Sequence, residues 1–178
     1  MRLSKISVLL LCVISLTCMQ CGSVQYSFTG ASLGPEIKTI AIDNFYNDSG
    51  SGPPNISQQF TEEIKDYYAR NTSLAVVNGN GDLQLEGSIV SYQFTPVAPQ
   101  ASGTDQRSDQ AGLMRLTITV KASYVNTYDD TFDFNNKTYS FYEDFPADQD
   151  PSTQEERLIN TIFEQIIFDI FNATVANW

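Results

Sequence analysis

Hydrophobic and polar positions divide the chain into a leader and a folded domain. Ile6 to Leu16 carry no charge and follow the basic start Met1-Arg2-Leu3-Ser4-Lys5. A basic start with so short an apolar stretch reads as an export signal, not as a permanent membrane span. Residues 22–35 then form a polar and aromatic lead-in ending at Gly34-Pro35. Ile37 to Phe45 reads as a strand, with Ile40 and Ile42 on one face and Thr39, Ala41 and Asp43 on the other. Asn47 to Asn55 is a loop by composition. Ile56, Phe60, Ile64 and Tyr67/Tyr68 recur at helical spacing, predicting a helix capped by Asn55 or Ser57 and ended by Asn71.

Leu74 to Val77 predicts a short strand, and Gly79-Asn80-Gly81-Asp82 a hairpin turn after it. Leu83, Leu85 and Ile89 alternate along the next strand, which Pro96 and Pro99 are expected to stop near Phe94. Its inward set changes phase towards Val90, Tyr92 and Phe94, with a bulge expected at Gly87. Residues 97–112 are polar and read as a mobile loop. Met114, Leu116, Ile118, Val120, Ala122 and Tyr124 form the cleanest period-2 run, opposite Arg115, Thr117, Thr119, Lys121 and Ser123. After a turn at Asn126 to Asp130, a further strand runs from Thr131 to about Tyr142. Ser152 and Glu155 have capping-box spacing, opening a helix whose apolar face runs from Leu158 to Phe171. The order β-α-β-β-β-β-α predicts an α+β fold: one sheet of four to five mostly antiparallel strands with both helices on one face. Its first β-α-β unit should be a right-handed parallel crossover, and the remainder antiparallel.

Cysteine placement sharpens the reading of the leader. All three cysteines, Cys12, Cys18 and Cys21, fall in the first 21 residues. A cysteine at the cleavage point suggests a lipoprotein, with its thiol acylated and the mature chain held to a membrane by its N-terminus. Cys12 lies inside the apolar run. Cys18 follows Ser15-Leu16-Thr17, with a small residue at the cut. Cys21 follows Cys18-Met19-Gln20, a poorer consensus, but it precedes Gly22 and gives a 20-residue leader. Cys21 is the preferred lipid attachment and Cys18 the alternative. One acyl chain attaches a protein marginally, whereas two or three make a stable tether. The expected organisation is a signal peptide over 1–20, a lipidated lead-in over 21–35 and an α+β domain over 36–178.

Charge and missing chemistry narrow the function. The net charge is −11, and losing Arg2 and Lys5 with the leader moves it to −13. That field repels nucleic acid, so no nucleic-acid partner is expected. The chain has no histidine, which excludes Ser-His-Asp and Cys-His catalysis and the commonest metal ligand. Gly79-Asn80-Gly81-Asp82 lacks the Gly-Lys-Ser/Thr of a phosphate loop and the distal glutamate of a calcium loop. The acidic pairs Glu62/Glu63 and Glu155/Glu156 are expected in first helical turns, and Asp129/Asp130 in a turn. No catalytic residues, metal or cofactor are expected. Arg115 and Lys121 share a strand face and are the candidate anion contacts; a solvated outer face carrying two charges is the plainer reading.

Four stretches carry a family resemblance. Cys21-Gly22, continued by Tyr26-Ser27-Phe28-Thr29-Gly30, resembles the start of the lipopolysaccharide-assembly lipoprotein family LptE. So do Gly81-Asp82-Leu83-Gln84-Leu85-Glu86-Gly87 with Tyr92, the strand Arg115 to Val120, and the terminal Val175-Ala176-Asn177-Trp178. The resemblance implies two helices against a sheet. It further implies an outer-membrane lipoprotein on the periplasmic side, sitting in the lumen of the LptD β-barrel as plug and assembly partner and contacting lipopolysaccharide. Arg115 and Lys121 are then the candidate lipopolysaccharide contacts, by charge and strand face alone. Ser23-Val24-Gln25 separates Cys21 from Tyr26 more than the family's tighter Cys-Gly-x-Tyr spacing. The alternatives are a generic envelope lipoprotein acting as adaptor in another outer-membrane complex, and a carbohydrate-processing enzyme.

Cys21→Ala is expected to leave an uncleaved, unlipidated precursor that does not partition with outer membrane. Intact mass of the mature wild-type chain checks this. A diacylglyceryl group on residue 18 moves the site, and a free N-terminus removes the anchor altogether.

Overall fold

The computed structural model describes residues 33–97 and 112–175. The leader, both candidate anchor cysteines, most of the lead-in, residues 98–111 and the terminal Trp178 lie outside the described residues. The described chain runs β1 (Thr39–Ile42), β2 (Tyr46–Asn47), α1 (Ile56–Asn71), β3 (Ala75–Val77), β4 (Leu83–Val97), β5 (Leu113–Asn126), a 3-10 turn (Asp130–Phe132), β6 (Phe134–Pro146) and α2 (Pro151–Thr174). The strands make one six-stranded sheet in the order β3-β1-β4-β5-β6, with β2 also paired to β4. The expected α+β architecture is present, with more strands than the four to five expected. β2 is too short to announce itself by alternation.

The β1–β3 pair is parallel, as expected of a β-α-β unit, but so are β1–β4 and β2–β4. The long pairs β4–β5 and β5–β6 are antiparallel. β3 and β4 therefore flank β1 from opposite sides, and Gly79-Asn80-Gly81-Asp82 is no hairpin. Residues 78–82 instead carry the chain past the β1 backbone. A Cβ on Gly81 would lie 2.6 Å from the Ala41 amide nitrogen, so this crossing requires glycine.

β5 alternates as expected, burying Leu116, Ile118, Val120, Ala122 and Tyr124. On β4 the buried set passes from Leu83, Leu85 and Ile89 to Tyr92, and the register shifts between Ile89 and Ser91. The bulge thus falls at Val90, not at Gly87. Gly87 serves close packing: a Cβ there would run into the Lys121 carbonyl oxygen and the Phe45 ring. β4 also continues through Pro96, which pairs with Met114. Beyond Ile89 it has no described neighbour except β5, and an edge tolerates proline. β6 begins later than expected because the Asp130–Phe132 turn occupies its first residues, and it ends later because it stays paired to β5 as far as Pro146 with Leu113.

Both helices cover the one apolar face. α2 buries Leu158, Ile159, Ile162, Phe163, Ile166, Ile167, Ile170 and Phe171. It starts at Pro151, with Asp150 accepting from the Ser152 amide. Proline suits the first helical position because its missing N–H would be unpaired there. Asp150 therefore caps the helix in place of Ser152. Glu155, freed from the expected capping box, accepts from the Tyr92 hydroxyl at 2.5 Å. α1 follows Asn55, whose side chain makes no capping bond, and ends with the Thr72 amide on the Tyr68 carbonyl. Glu62/Glu63 and Glu155/Glu156 sit in the second turns of α1 and α2, not in the first turns expected. Phe60 of α1 meets Phe45 and Phe163 edge-on at 4.9 and 4.8 Å, joining sheet and helices. The buried Tyr68 hydroxyl bonds Thr174 at 2.5 Å across the two helices.

Ile166 is 1% exposed. Ile166→Asp buries an unpaired carboxylate at a cost of several kcal/mol, against a total stability of about 5–15 kcal/mol. The variant is expected to be unfolded or insoluble by circular dichroism, while Ile166→Ala loses about 2–5 kcal/mol and stays folded.

Candidate functional site

The sheet face away from the helices is polar, and both candidate cations stand on it. Arg115 and Lys121 lie six residues apart along β5, which separates them by roughly 20 Å. The structure does not bring them into one site. The β5–β6 register places Asp144 opposite Arg115. Arg115 Nε donates to Asp144 Oδ1 at 2.7 Å and Nη2 to Oδ2 at 2.9 Å. Its guanidinium carbon also lies 3.6 Å from the centre of the Tyr142 ring. The hydrogen bond to Asp144 raises the Arg115 pKa further, and the same bond lowers that of Asp144. Both oxygens of the carboxylate are engaged, and the guanidinium is stacked as well as paired.

Lys121 is exposed and lines a shallow groove of about 490 Å³ beside β2, with Asp43, Asp48, Glu86 and Tyr46 around it. Three carboxylates in the lining offset its charge. The exposed Tyr46 adds an apolar edge. Sequence reasoning missed Asp144 and Tyr142 as partners of Arg115. Their spacing on a period-2 strand carries the signal, but the β5–β6 register is needed to use it.

A second cluster joins the chain segments at one end of the sheet. Asp82 Oδ2 accepts from the amides of Lys38 and Thr39, both at 2.9 Å, and from Thr39 Oγ1 at 2.8 Å. The Asp82 amide donates to Thr39 Oγ1, and its carbonyl accepts from both the amide and the hydroxyl of Thr127. One residue thus ties β1, β4 and the end of β5. The backbone bond from Lys38, then the Thr39 hydroxyl, hold its carboxyl below the ordinary range. Among the described residues no group of three or more metal-ligating side chains converges. None of their helices is long and apolar enough to cross a membrane. The acidic pairs find local partners: Glu62 and Glu63 accept from Gln58 and Gln59, and Asp129 caps the 3-10 turn.

The model of one protein family, described as lipopolysaccharide-assembly (LptE), matches residues 37–174. The chain belongs to that family. The match spans every strand and both helices, so it is the α+β domain that carries LptE membership. No curated protein matches the chain in sequence. Among solved structures, a Chlamydia trachomatis protein superposes with a TM-score of 0.51 at 11% identity, covering 79% of this chain and 99% of its own. An uncharacterised lipoprotein from Nitrosomonas europaea gives 0.47 at 12% identity over 75% and 79% of the two chains. A minor lipoprotein from Acinetobacter baumannii gives 0.45 at 12% identity over 75% and 89%. The Chlamydia likeness supports the shared fold and nothing beyond it.

Asp82→Ala removes three accepted hydrogen bonds at a strand junction and is expected to lower the melting temperature. The sign of the pH effect follows from the lowered pKa. The stabilisation by Asp82 is fully present above the unfolded carboxylate value and is lost as pH falls through the lower folded value. Wild type and variant should therefore converge in stability towards acid. A gap that stays constant down to pH 2 refutes the ionised carboxylate as its source.

Proposed function

We propose that this LptE-family chain is an outer-membrane lipoprotein held by a lipid anchor at Cys21, or Cys18, with its domain on the periplasmic side. There it occupies the lumen of the LptD β-barrel, plugs it and assists its assembly, and takes part in moving lipopolysaccharide to the cell surface. The observation that carries this reading is the family match across the whole domain, residues 37–174. The basic, apolar leader with its cysteines supports the anchor. A plug needs shape and contact area, and this chain offers a largely polar sheet face backed by a buried core. We read the role as non-enzymatic, because the family matched is one of lipopolysaccharide assembly and no histidine is present to act as an imidazole base. Arg115 and Lys121 are the proposed lipopolysaccharide contacts.

Depleting the protein is expected to leave the partner barrel misassembled and to reduce lipopolysaccharide at the cell surface. Co-purification from detergent-solubilised outer membrane should yield a stoichiometric large β-barrel. Normal barrel assembly and normal surface lipopolysaccharide after depletion would favour the adaptor alternative.

Charge reversal at Arg115 or Lys121 is expected to weaken binding of purified lipopolysaccharide and make it more salt-sensitive. Exposed ion pairs contribute about 0–1 kcal/mol, so each change is worth up to about fivefold. Unchanged affinity at low salt for both reversals removes these residues from the contact.

A further inference from the structure

β6 ends the sheet on one side, and no described strand pairs with its outer edge. Its hydrogen-bonding pattern can be read from the register. The Ala147 amide donates to the Gly112 carbonyl, and the same pairing continues from Leu113 with Pro146 to Ala122 with Lys137. Bonded and non-bonded positions alternate in an antiparallel ladder. The odd-numbered residues 137–147 therefore bond to β5. Thr138, Ser140, Tyr142 and Asp144 direct their N–H and C=O groups at the open edge. Pro146 shares that parity, so its missing N–H also falls on the open side.

Edges are commonly protected by bulges and prolines. Both devices occur here, at the two ends. Asn135 and Asn136 together face Ser123, with Asn136 at φ 53°, and Pro146 closes the other end. The residues between them form a regular ladder without bulge or proline, in which Thr138, Ser140 and Tyr142 are exposed.

The charges on this stretch are self-complementary. Lys137 and Glu143 lie three residues either side of Ser140, which is also the midpoint of β6. Suppose a second β6 pairs antiparallel about a two-fold axis at Ser140. Lys137 of each copy then falls opposite Glu143 of the other, Tyr139 opposite Phe141, and Thr138 opposite Tyr142. A two-fold register matches residues whose numbers sum to an even value, so Asp144 can never oppose Lys137. Among the described residues Lys137 makes no ion pair, resting instead 5.3 Å from the Phe134 ring and 5.4 Å from that of Tyr139. Glu143 has a single exposed 3.5 Å contact with Arg157, of the kind that contributes little.

We propose that the outer edge of β6 is a homotypic docking edge, pairing antiparallel with β6 of a second copy of this chain about Ser140. The occupant is a second copy because the edge matches itself in charge, in length and in its open hydrogen-bonding groups. The pairing belongs to the free chain, before a partner barrel encloses the domain, so this inference and the plug reading fail separately.

Cysteine cross-linking of the full chain in detergent micelles tests it, with the parent chain as control for Cys12, Cys18 and Cys21. A hydrogen-bonded antiparallel pair brings Cα atoms to about 5.5 Å, within disulfide range. Ser140→Cys is expected to give a reducible dimer well above the parent level under mild oxidation. Thr138→Cys alone should not, whereas a mixture of Thr138→Cys and Tyr142→Cys chains should. Adding Lys137→Glu to Ser140→Cys should lower the yield several-fold, and adding Glu143→Lys as well should restore it. These positions are at the surface, and circular dichroism confirms that each variant is folded. A folded Ser140→Cys chain that dimerises no more than the parent overturns the proposal. So does Thr138→Cys cross-linking as readily as Ser140→Cys, or residue 140 cross-linking to a different protein and never to itself.

Discussion

A sheet with one apolar face must have that face covered, and the rest of this protein is arranged around meeting the demand. β4, β5 and β6 together present Leu83, Leu85, Ile89, Leu116, Ile118, Val120 and Phe145, each at most 1% exposed. Burying such side chains stabilises a fold by about 1.5–3 kcal/mol apiece, which an uncovered sheet would forfeit. α2 covers the β5–β6 side and α1 the β2–β3 side, and the Phe45–Phe60–Phe163 contacts lock the two halves into a single core. Both helices are committed to one side. The other side stays largely polar and is covered by neither helix.

The same demand explains the tight passage at Gly81. α1 returns the chain to β3, on the far side of β1 from β4, so five residues must bring it across to start the long antiparallel hairpins. Only a residue without a side chain fits against the β1 backbone there, and Asp82 immediately anchors the arrival by gripping Lys38, Thr39 and Thr127. The Gly-Asp-Leu stretch that resembles the LptE family is thus explained by the topology. Its role is to hold the junction between the parallel and antiparallel halves. A family motif of this kind marks a fold before it marks a binding site.

Much of this was legible from the chain because the signals were periodic and long. β5 and α2 have unbroken periods of two and of three to four, and no competing structure satisfies them. What escaped depended on pairing partners that local chemistry does not encode. Gly79 to Asp82 has hairpin composition, yet β3 and β4 are separated by β1, so the turn type was right for the residues and wrong for the topology. Pro96 reads as a stop signal only when both strand edges are assumed to be paired. Ser152 reads as a cap until Asp150 and Pro151 are seen to provide a better one two residues earlier. Arg115 reads as an available cation, but the register sets Asp144 directly opposite it.

That last pairing bears on how an acidic chain could meet an anionic glycolipid. At a net charge of −11 the long-range field opposes the encounter, so any attraction must act within the roughly 8 Å screening distance of physiological salt. Within that range Arg115 already spends both arms of its fork on Asp144, and a phosphate would gain only the difference between two similar bidentate pairs. Lys121 is exposed, but Asp43, Asp48 and Glu86 share its groove. Neither cation can then anchor an anion strongly by itself. Under the proposed reading, affinity for lipopolysaccharide would then have to come from contact area and shape, with the two cations setting orientation more than strength.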